Sequence, residues 1–231
     1  AEPADGISLA ITGPYASAAG TGLDNLVLRA AHALAAATGT TAGAALSLEK
    51  QIPVAAGLGG GSADAAAALR LLNRLWGTGL DEAALIAIAA PLGSDVPACV
   101  ASRTCFGAGR GEALAAWPDD LAGTPVLLVN PRVAVPTGPV FQGWDQQDHG
   151  GITPGTPLHQ LRNDMTAAAV AIAPVIADVL AALESAGGAT LVRMSGSGAT
   201  CLALYADAQA RDQAAEALRP HGWWQAATSI I

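Results

Sequence analysis

The chain has 231 residues, a formal net charge of −8, 52% hydrophobic residues and only 4% aromatic residues. This length fits one large domain or two small ones, and an acidic chain without a basic stripe argues against nucleic-acid binding. Cys99, Cys105 and Cys201 are odd in number and lack the spacing of a metal site. We therefore expect reduced core thiols in a cytoplasmic protein that has no membrane span.

Helical patterns recur along the chain. The spacing of apolar residues and the capping residues predict helices over 24–37, 62–76, 81–90, 164–186 and 207–218. Asp24 or Asn25 is expected to cap the first helix, and Ser62 to begin the second. Pro174 predicts a kink in the fourth helix, or its division into two.

Strand patterns fall between these helices without a regular alternation. They cover residues 7–11, 46–52, 105–109, 125–131, 189–195, 199–206 and 223–230. This irregular order favours an α+β fold over a doubly wound parallel sheet. The stretch 132–160, rich in Pro, Gly and Gln, predicts a surface connection of the kind that often carries a binding site. A domain boundary is expected near residues 118–124.

The most informative segment is PVAAGLGGGSAD, residues 53–64, which lies between a predicted strand and a predicted helix. Its four glycines allow backbone N–H groups to turn inward, and the helix adds a partial positive charge at its amino end. Together they predict an anion site suited to phosphate. The segment matches neither a P-loop nor the dinucleotide fingerprint, and no protein-kinase motifs accompany it. A glycine turn that only feeds a packed helix is the alternative.

Two further segments carry candidate chemistry. In PLGSDVPAC, residues 91–99, Asp95 could accept a proton from a substrate hydroxyl or orient that hydroxyl. A turn or a helix cap explains this residue equally well. In MSGSGAT, residues 194–200, Gly196 and Gly198 permit a positive φ and the serines offer hydroxyl donors, but an ordinary glycine hairpin is the alternative.

The remaining polar residues have structural explanations. His32, His149, His159 and His221 show neither metal-ligand spacing nor a pairing with Ser or Cys that suggests a nucleophile. Asn163 and Asp164 precede the longest predicted helix, and capping accounts for them.

In this order, PVAAGLGGGSAD, LGSDVP and MSGSGAT closely resemble the motifs of the GHMP small-molecule kinase superfamily. DNLV at 24–27, NPRVAVPTGPVF at 130–141 and RNDM at 162–165 support the resemblance, which runs essentially from end to end. Within the superfamily the chain is most similar to the branch that phosphorylates the 2-hydroxyl of diphosphocytidyl methylerythritol in the non-mevalonate pathway to isoprenoid precursors.

The resemblance implies an α+β fold of two domains. The first, over 1–122, would be a ribosomal protein S5 domain 2-like ATP-binding domain, and the second, over 123–231, a ferredoxin-like domain. It also implies ATP, Mg²⁺ and a small-molecule alcohol as ligands, in a monomer or homodimer without nucleic-acid or membrane partners.

The resemblance also assigns site residues. Asp95 would be the catalytic aspartate, and Ser62 would lie near the metal. The ATP phosphates would be held by Pro53, Val54, Ala55, Ala56, Gly57, Leu58, Gly59, Gly60, Gly61, Ser62 and Ala63, with Gly196 and Ser197. Lys50 lies where the superfamily often has a ligand-facing residue.

One departure from the family pattern stands at the amino end. The family begins with a strand that carries a Lys and an Asn, then a turn that helps to hold the cytidine, and this sequence starts at AEPADGISLAI instead. We expect a shortened chain with impaired activity, because loss of one preorganised donor costs about 10²–10³ in rate. The rival interpretations are a homoserine or mevalonate kinase, a non-catalytic ATP-binding protein, and an alanine-rich scaffold without ligand.

Overall fold

The computed structural model describes residues 1–118, 121–147 and 152–231. Its helices and strands confirm the predicted α+β class. The chain divides into two compact units, one formed by Ala1–Val54 with Gly59–Ala116 and the other by Ala55–Leu58 with Trp117–Ile231. The expected boundary between residues 122 and 123 remains a prediction, and residues 119–120 beside it lie outside the described ranges. In these ranges every helix is too short or too polar to cross a membrane.

The first unit contains a three-stranded sheet, five helices and a hairpin in the part that the structure describes. The elements are β1 (Glu2–Ala4), β2 (Ile7–Thr12), α1 (Ala16–Ala19), α2 (Leu26–Thr38), β3 (Gly43–Glu49), α3 (Gly60–Leu75), α4 (Glu82–Ala89), α5 (Val96–Ala101), β4 (Cys105–Ala108) and β5 (Ala113–Ala116). The sheet order is β1-β3-β2, with β2 parallel and β1 antiparallel to β3. Strands β4 and β5 form the antiparallel hairpin.

Alanine explains how the helices of this unit pack. Helices α2 and α3 contact each other, and the core that they share contains the fully buried Ala30, Ala31, Ala65 and Ala66 together with larger side chains such as Leu69. Small side chains let the two backbones approach closely, so few aromatic residues are needed. The amino end of α3 is thereby held against the rest of the unit.

The second unit has a four-stranded antiparallel sheet. Its elements are β6 (Pro125–Asn130), α6 (Thr137–Gly143), α7 (Thr166–Ile172), α8 (Val175–Ala186), β7 (Ala189–Met194), β8 (Cys201–Tyr205), α9 (Ala208–Leu218) and β9 (Trp224–Ser229). The strand order β7-β8-β6-β9, with helices between β6 and β7 and between β8 and β9, is the βαββαβ arrangement of the ferredoxin-like fold. Its core joins β6, α8 and β8 through fully buried residues such as Leu127, Ile176 and Ala203.

Local expectations and structure agree for most elements. Asn25 caps α2 by accepting a hydrogen bond from the Val27 N–H, and Pro174 divides the long helix into α7 and α8. Helix α3 begins at Gly60, two residues before the expected start at Ser62. Glycine has low helix propensity, so a start inside a glycine run is not visible in the local sequence.

The sequence did not predict five of the helices and strands named above: α1, α5, α6, β1 and β5. Strand β1 forms because it pairs with the edge of β3, and β5 forms because β4 offers it a partner. Helix α6 lies inside the stretch 132–160, of which residues 148–151 fall outside the described ranges. It contains Pro139 in its first turn, where the missing N–H removes no intrahelical bond.

Candidate functional site

The glycine loop between β3 and α3 has an alternating backbone. Ala55, Gly57 and Gly59 have φ values of 54°, 74° and 62°, whereas Ala56 and Leu58 do not have a positive φ. Alternation of this kind turns successive N–H groups toward the same side and creates a concave anion site. The loop therefore has the local geometry that the glycine pattern predicts.

The amides of this loop are open to a ligand. In the described part of the chain, the N–H groups from Gly57 to Ser62 donate to no protein acceptor. Those of Gly60, Gly61 and Ser62 belong to the first turn of α3, where no intrahelical acceptor exists. The 16-residue helix adds its partial positive charge at this end. Phosphate oxygens could satisfy these donors.

Asp95 lies beside the loop within the first unit. It occupies the N-cap position of α5, but its side chain is exposed and makes no capping hydrogen bond. A β-carbon placed on Gly59 would lie 3.5 Å from Asp95 Oδ2. The capping explanation therefore does not account for the carboxylate, which is available to a ligand bound at Gly59.

Helix α5 is fixed by its other end. The Arg70 guanidinium, on α3, donates to the carbonyl oxygens of Cys99 at 2.6 Å and Val100 at 3.3 Å. A cation at a helix carboxyl end satisfies orphan carbonyls and suits the helix dipole. Cys99 lies one turn after Asp95, and burial, followed by the nearby Asp95 carboxylate, raises the pKa of its thiol. Arg70 thus connects α5, whose N-cap is Asp95, to α3, which begins at the glycine loop.

In the second unit, residues 55–58 of the loop pack against the turn between β7 and β8. Ser195 Oγ donates to the Gly57 carbonyl at 2.8 Å, and the Thr200 N–H donates to the Ala56 carbonyl at 3.2 Å. A β-carbon on Gly57 would lie 2.5 Å from the Ser195 carbonyl oxygen. Glycine is therefore required here by both its positive φ and the close backbone approach.

The turn between β7 and β8 is held by side chains from two other segments. Asn163 Nδ2 donates to the carbonyls of Met194 at 3.0 Å and Gly196 at 2.7 Å. Ser197 is buried, and its Oγ lies 3.0 Å from Thr137 Oγ. The Gly196 φ of 52° is in the left-handed region that the sequence predicts for this turn.

A cavity of about 430 Å³ adjoins this turn in the second unit. Its lining includes the side chains of Phe141, Trp144, Arg162 and Arg193. Arg162 forms an ion pair with Asp164 at 2.8 Å, and burial lowers the pKa of the Arg193 guanidinium. Aromatic surface beside guanidinium groups suits a ligand that combines a planar ring with an anion.

In the described ranges no group of three or more His, Cys, Asp or Glu residues is arranged to hold a metal ion. Mg²⁺ in phosphoryl-transfer sites usually takes one or two protein ligands and binds mainly to substrate phosphates and water. Ser62, half-buried in the first turn of α3, could supply such a ligand.

The described histidines agree with their structural interpretation, whereas only Cys201 of the three expected core thiols is fully buried, and Cys99 and Cys105 are partly exposed. His32 and His159 are exposed, and His221 stacks on Trp223 at 4.2 Å. His149 lies outside the described residues. All three cysteines are free, and burial raises the pKa of the Cys201 thiol to about 12.

Sequence reasoning assigned no function to two residues near the loops. The Asp64 carboxylate forms an ion pair with Lys50. The Asn163 side chain holds the turn at residues 194–196, and it also accepts a hydrogen bond from the Met165 N–H just before α7. The sequence signal that could have identified Asp64 is an acidic residue among the alanines at the start of α3. Nothing in the local sequence distinguishes Asn163 from an ordinary cap.

Family models match both halves of the chain. The model described as GHMP kinases N terminal domain matches residues 25–103, and that described as GHMP kinases C terminal matches residues 152–222. The chain is also similar to many curated proteins of one name, 4-diphosphocytidyl-2-C-methyl-D-erythritol kinase. The protein of that name from Rhizorhabdus wittichii is 52% identical over 225 residues, which cover 94% of this chain and 77% of the relative. The one from Hyphomonas neptunium is 47% identical, with 100% of this chain and 82% of the relative covered.

Solved structures agree with this similarity. A crystal structure of 4-(cytidine 5'-diphospho)-2C-methyl-D-erythritol kinase superimposes with a TM-score of 0.80 at 33% identity, covering 98% of this chain and 82% of the other. A homoserine kinase from Cytophaga hutchinsonii superimposes with a TM-score of 0.76 at 18% identity, covering 99% and 84%. The second likeness concerns the fold alone.

Proposed function

The chain belongs to the GHMP kinase family, among the 4-diphosphocytidyl-2-C-methyl-D-erythritol kinases, and we propose that it transfers the γ-phosphoryl group of ATP to the 2-hydroxyl of 4-diphosphocytidyl-2-C-methyl-D-erythritol. In this reaction a bond forms between the hydroxyl oxygen and the γ-phosphorus, and the bond from that phosphorus to the β–γ bridging oxygen breaks. The products are ADP, the phosphorylated alcohol and the hydroxyl proton. This step would belong to the formation of isoprenoid precursors.

One observation carries the proposal. An exposed carboxylate without a capping role lies beside a glycine loop whose amides have no protein acceptor. Phosphoryl transfer depends mainly on positioning and charge stabilisation, so amide donors and one well-placed carboxylate are the groups it needs. A structural glycine turn would not require Asp95 next to Gly59.

The proposal gives each group a role. The N–H groups from Gly57 to Ser62 would bind oxygens of the ATP phosphates, and the neighbouring loop residues from Pro53 to Ala63 would enclose them. Asp95 would accept the hydrogen bond of the acceptor hydroxyl and take its proton during transfer. Gly196 and Ser197 would also contribute to phosphate binding.

Magnesium fits the same arrangement. Mg²⁺ would neutralise charge on the phosphate oxygens, and Ser62 in the first turn of α3 would be its protein ligand. An acidic protein of net charge −8 needs such neutralisation to bind a polyphosphate.

The acceptor assay tests this assignment. The chain is incubated with ATP, Mg²⁺ and one acceptor at a time: 4-diphosphocytidyl-2-C-methyl-D-erythritol, homoserine or mevalonate. Phosphorylated product is measured by ³¹P NMR and mass spectrometry. We expect product from the first acceptor alone. Phosphorylation of homoserine or mevalonate instead would assign another GHMP activity, and ATP binding without any transfer would favour a non-catalytic nucleotide-binding protein.

A further inference from the structure

Lys50 is an unusual residue in the first unit. Within the described ranges it is the one buried charged residue, with 6% of its surface exposed. Its ammonium forms an ion pair with the carboxylate of Asp64, whose side chain is 22% exposed. Burial of a charge is costly, and a buried ion pair often adds no net stability over an apolar pair of similar size. Fold stability alone is therefore a weak reason for this pair.

The backbone of Lys50 is fixed on both sides. Its N–H donates to the Thr12 carbonyl at 2.7 Å, and its carbonyl accepts from the Tyr15 N–H at 3.2 Å. Gly13 permits this approach, because a β-carbon there would lie 2.7 Å from the Lys50 carbonyl oxygen. The side chain thus extends from a rigid point just after β3.

The other partner lies on the far side of the glycine loop. Asp64 is the fifth residue of α3, so the ion pair joins the end of β3 to the start of α3. The two residues are the anchors on either side of the segment 51–63. Any change in their separation must alter the backbone of the loop between them.

The ammonium also lies next to the loop itself. A β-carbon placed on Gly60 would lie 3.4 Å from Lys50 Nζ. A cation at the amino end of a helix is opposed by the helix dipole, and the Asp64 carboxylate compensates for it. An ammonium has three directional donors, so this contact constrains orientation more strongly than an apolar pair would.

We propose that Lys50 and Asp64 are positioning residues whose hydrogen-bonded ion pair holds the amino end of α3 in the conformation that presents the loop amides to phosphate. They act through the loop backbone. This inference rests on the proposed function, since it concerns the affinity of that loop for ATP. It predicts that ATP affinity depends on the hydrogen bond between the two side chains and not only on their charges.

Two substitutions of Asp64 separate these contributions. Asp64→Asn and Asp64→Leu both remove the negative charge, but only Asn retains an oxygen that can accept from Lys50 Nζ. Dissociation constants for ATP–Mg²⁺ are measured by calorimetry, and unfolding is followed in parallel. We expect Asp64→Asn to bind ATP within about threefold of the unsubstituted chain, and Asp64→Leu about tenfold more weakly. Equal ATP affinities in the two variants would overturn the inference.

A third variant keeps the test decisive if Asp64→Leu does not fold. The double substitution Lys50→Met with Asp64→Leu leaves no buried unpaired charge, so its thermal stability should return close to that of the unsubstituted chain. Its ATP affinity should remain about tenfold reduced. Recovery of both stability and ATP affinity would mean that the pair is only structural.

The controls separate this inference from the proposed function. Arg103→Met removes the exposed ion pair between Arg103 and Glu82, two residues that lie outside the glycine loop in sequence. This variant should leave ATP affinity unchanged. If the unsubstituted chain binds no ATP, the proposed function fails. If it binds ATP and the Asp64 variants do not differ, only the positioning role fails.

Discussion

Asp95 shows how a single side chain can be distinguished from a cap. The residue stands at the N-cap of α5, where an Asp commonly accepts a hydrogen bond from the next turn. Here that bond is absent, and the carboxylate lies beside Gly59. A side chain that does not stabilise its own helix start is available for chemistry.

Asp95→Asn should therefore separate catalysis from binding. We expect phosphoryl transfer to fall by about 10²-fold or more, because the amide cannot take the hydroxyl proton. ATP affinity should stay equal or increase, because a negative charge next to the phosphates is removed. Turnover and ATP binding are measured on the same preparation, with Asp178→Asn, an exposed site on α8, as the control. Near-normal turnover in Asp95→Asn would exclude a catalytic role.

A second prediction for a single residue concerns Cys201 and the pH dependence of the free energy of unfolding. Burial raises the pKa of this thiol from 9.0 to about 12. Between these two values the folded chain retains a proton that the unfolded chain has lost, so the thiol's contribution to stability is present below pH 9 and lost as the pH rises toward 12. The free energy of unfolding should fall by up to about 1.4 kcal/mol per pH unit in this range.

Cys201→Ala isolates this contribution from that of Tyr205, whose pKa burial also raises. Chemical denaturation between pH 8 and about 11 should give a shallower decline for the variant than for the unsubstituted chain. Parallel pH dependences in the two proteins would show that the thiol does not titrate in this way.

The glycine loop is the element on which the site depends. Residues 55–58 belong to the second unit, and the rest of the loop, from Gly59 into α3, belongs to the first. Within the second unit Gly57 contacts the backbone of Ser195 and Gly198. The loop conformation is therefore set by contacts distant in sequence as well as by its own glycines.

Gly57→Ala should damage both the fold and nucleotide binding. The positive φ alone costs about 1–3 kcal/mol for a residue with a side chain, and the clash with the Ser195 carbonyl adds to it. Gly222→Ala is the matched control, because Gly222 has a φ of 67° in the same unit with no atom within 4 Å of an added β-carbon. Unfolding free energies and ATP affinity are compared. Equal losses of stability in the two variants would contradict the close packing of Gly57.

At the scale of the whole molecule, ligand binding should stabilise the folded state. At a free ATP concentration of about 100 times its dissociation constant, the gain is about 2.7 kcal/mol. Because the loop amides bind phosphates, ATP–Mg²⁺ and ADP should raise the melting temperature more than adenosine does. Thermal unfolding with each ligand checks this expectation, and an equal shift with adenosine would exclude phosphate binding as the source of affinity.

Local sequence was sufficient to predict the α+β class, most helices and strands, and the three motifs at residues 53–64, 91–99 and 194–200. These features depend on periodicity, capping residues and glycine runs, which are properties of neighbouring residues. Tertiary structure decided what those residues contact: Asp95 beside Gly59, Gly57 against Ser195, and Lys50 with Asp64. It also decided β1 and the strand order β7-β8-β6-β9. These features depend on pairing between segments far apart in the chain, and no local pattern encodes the partner of a strand edge or of a buried charge.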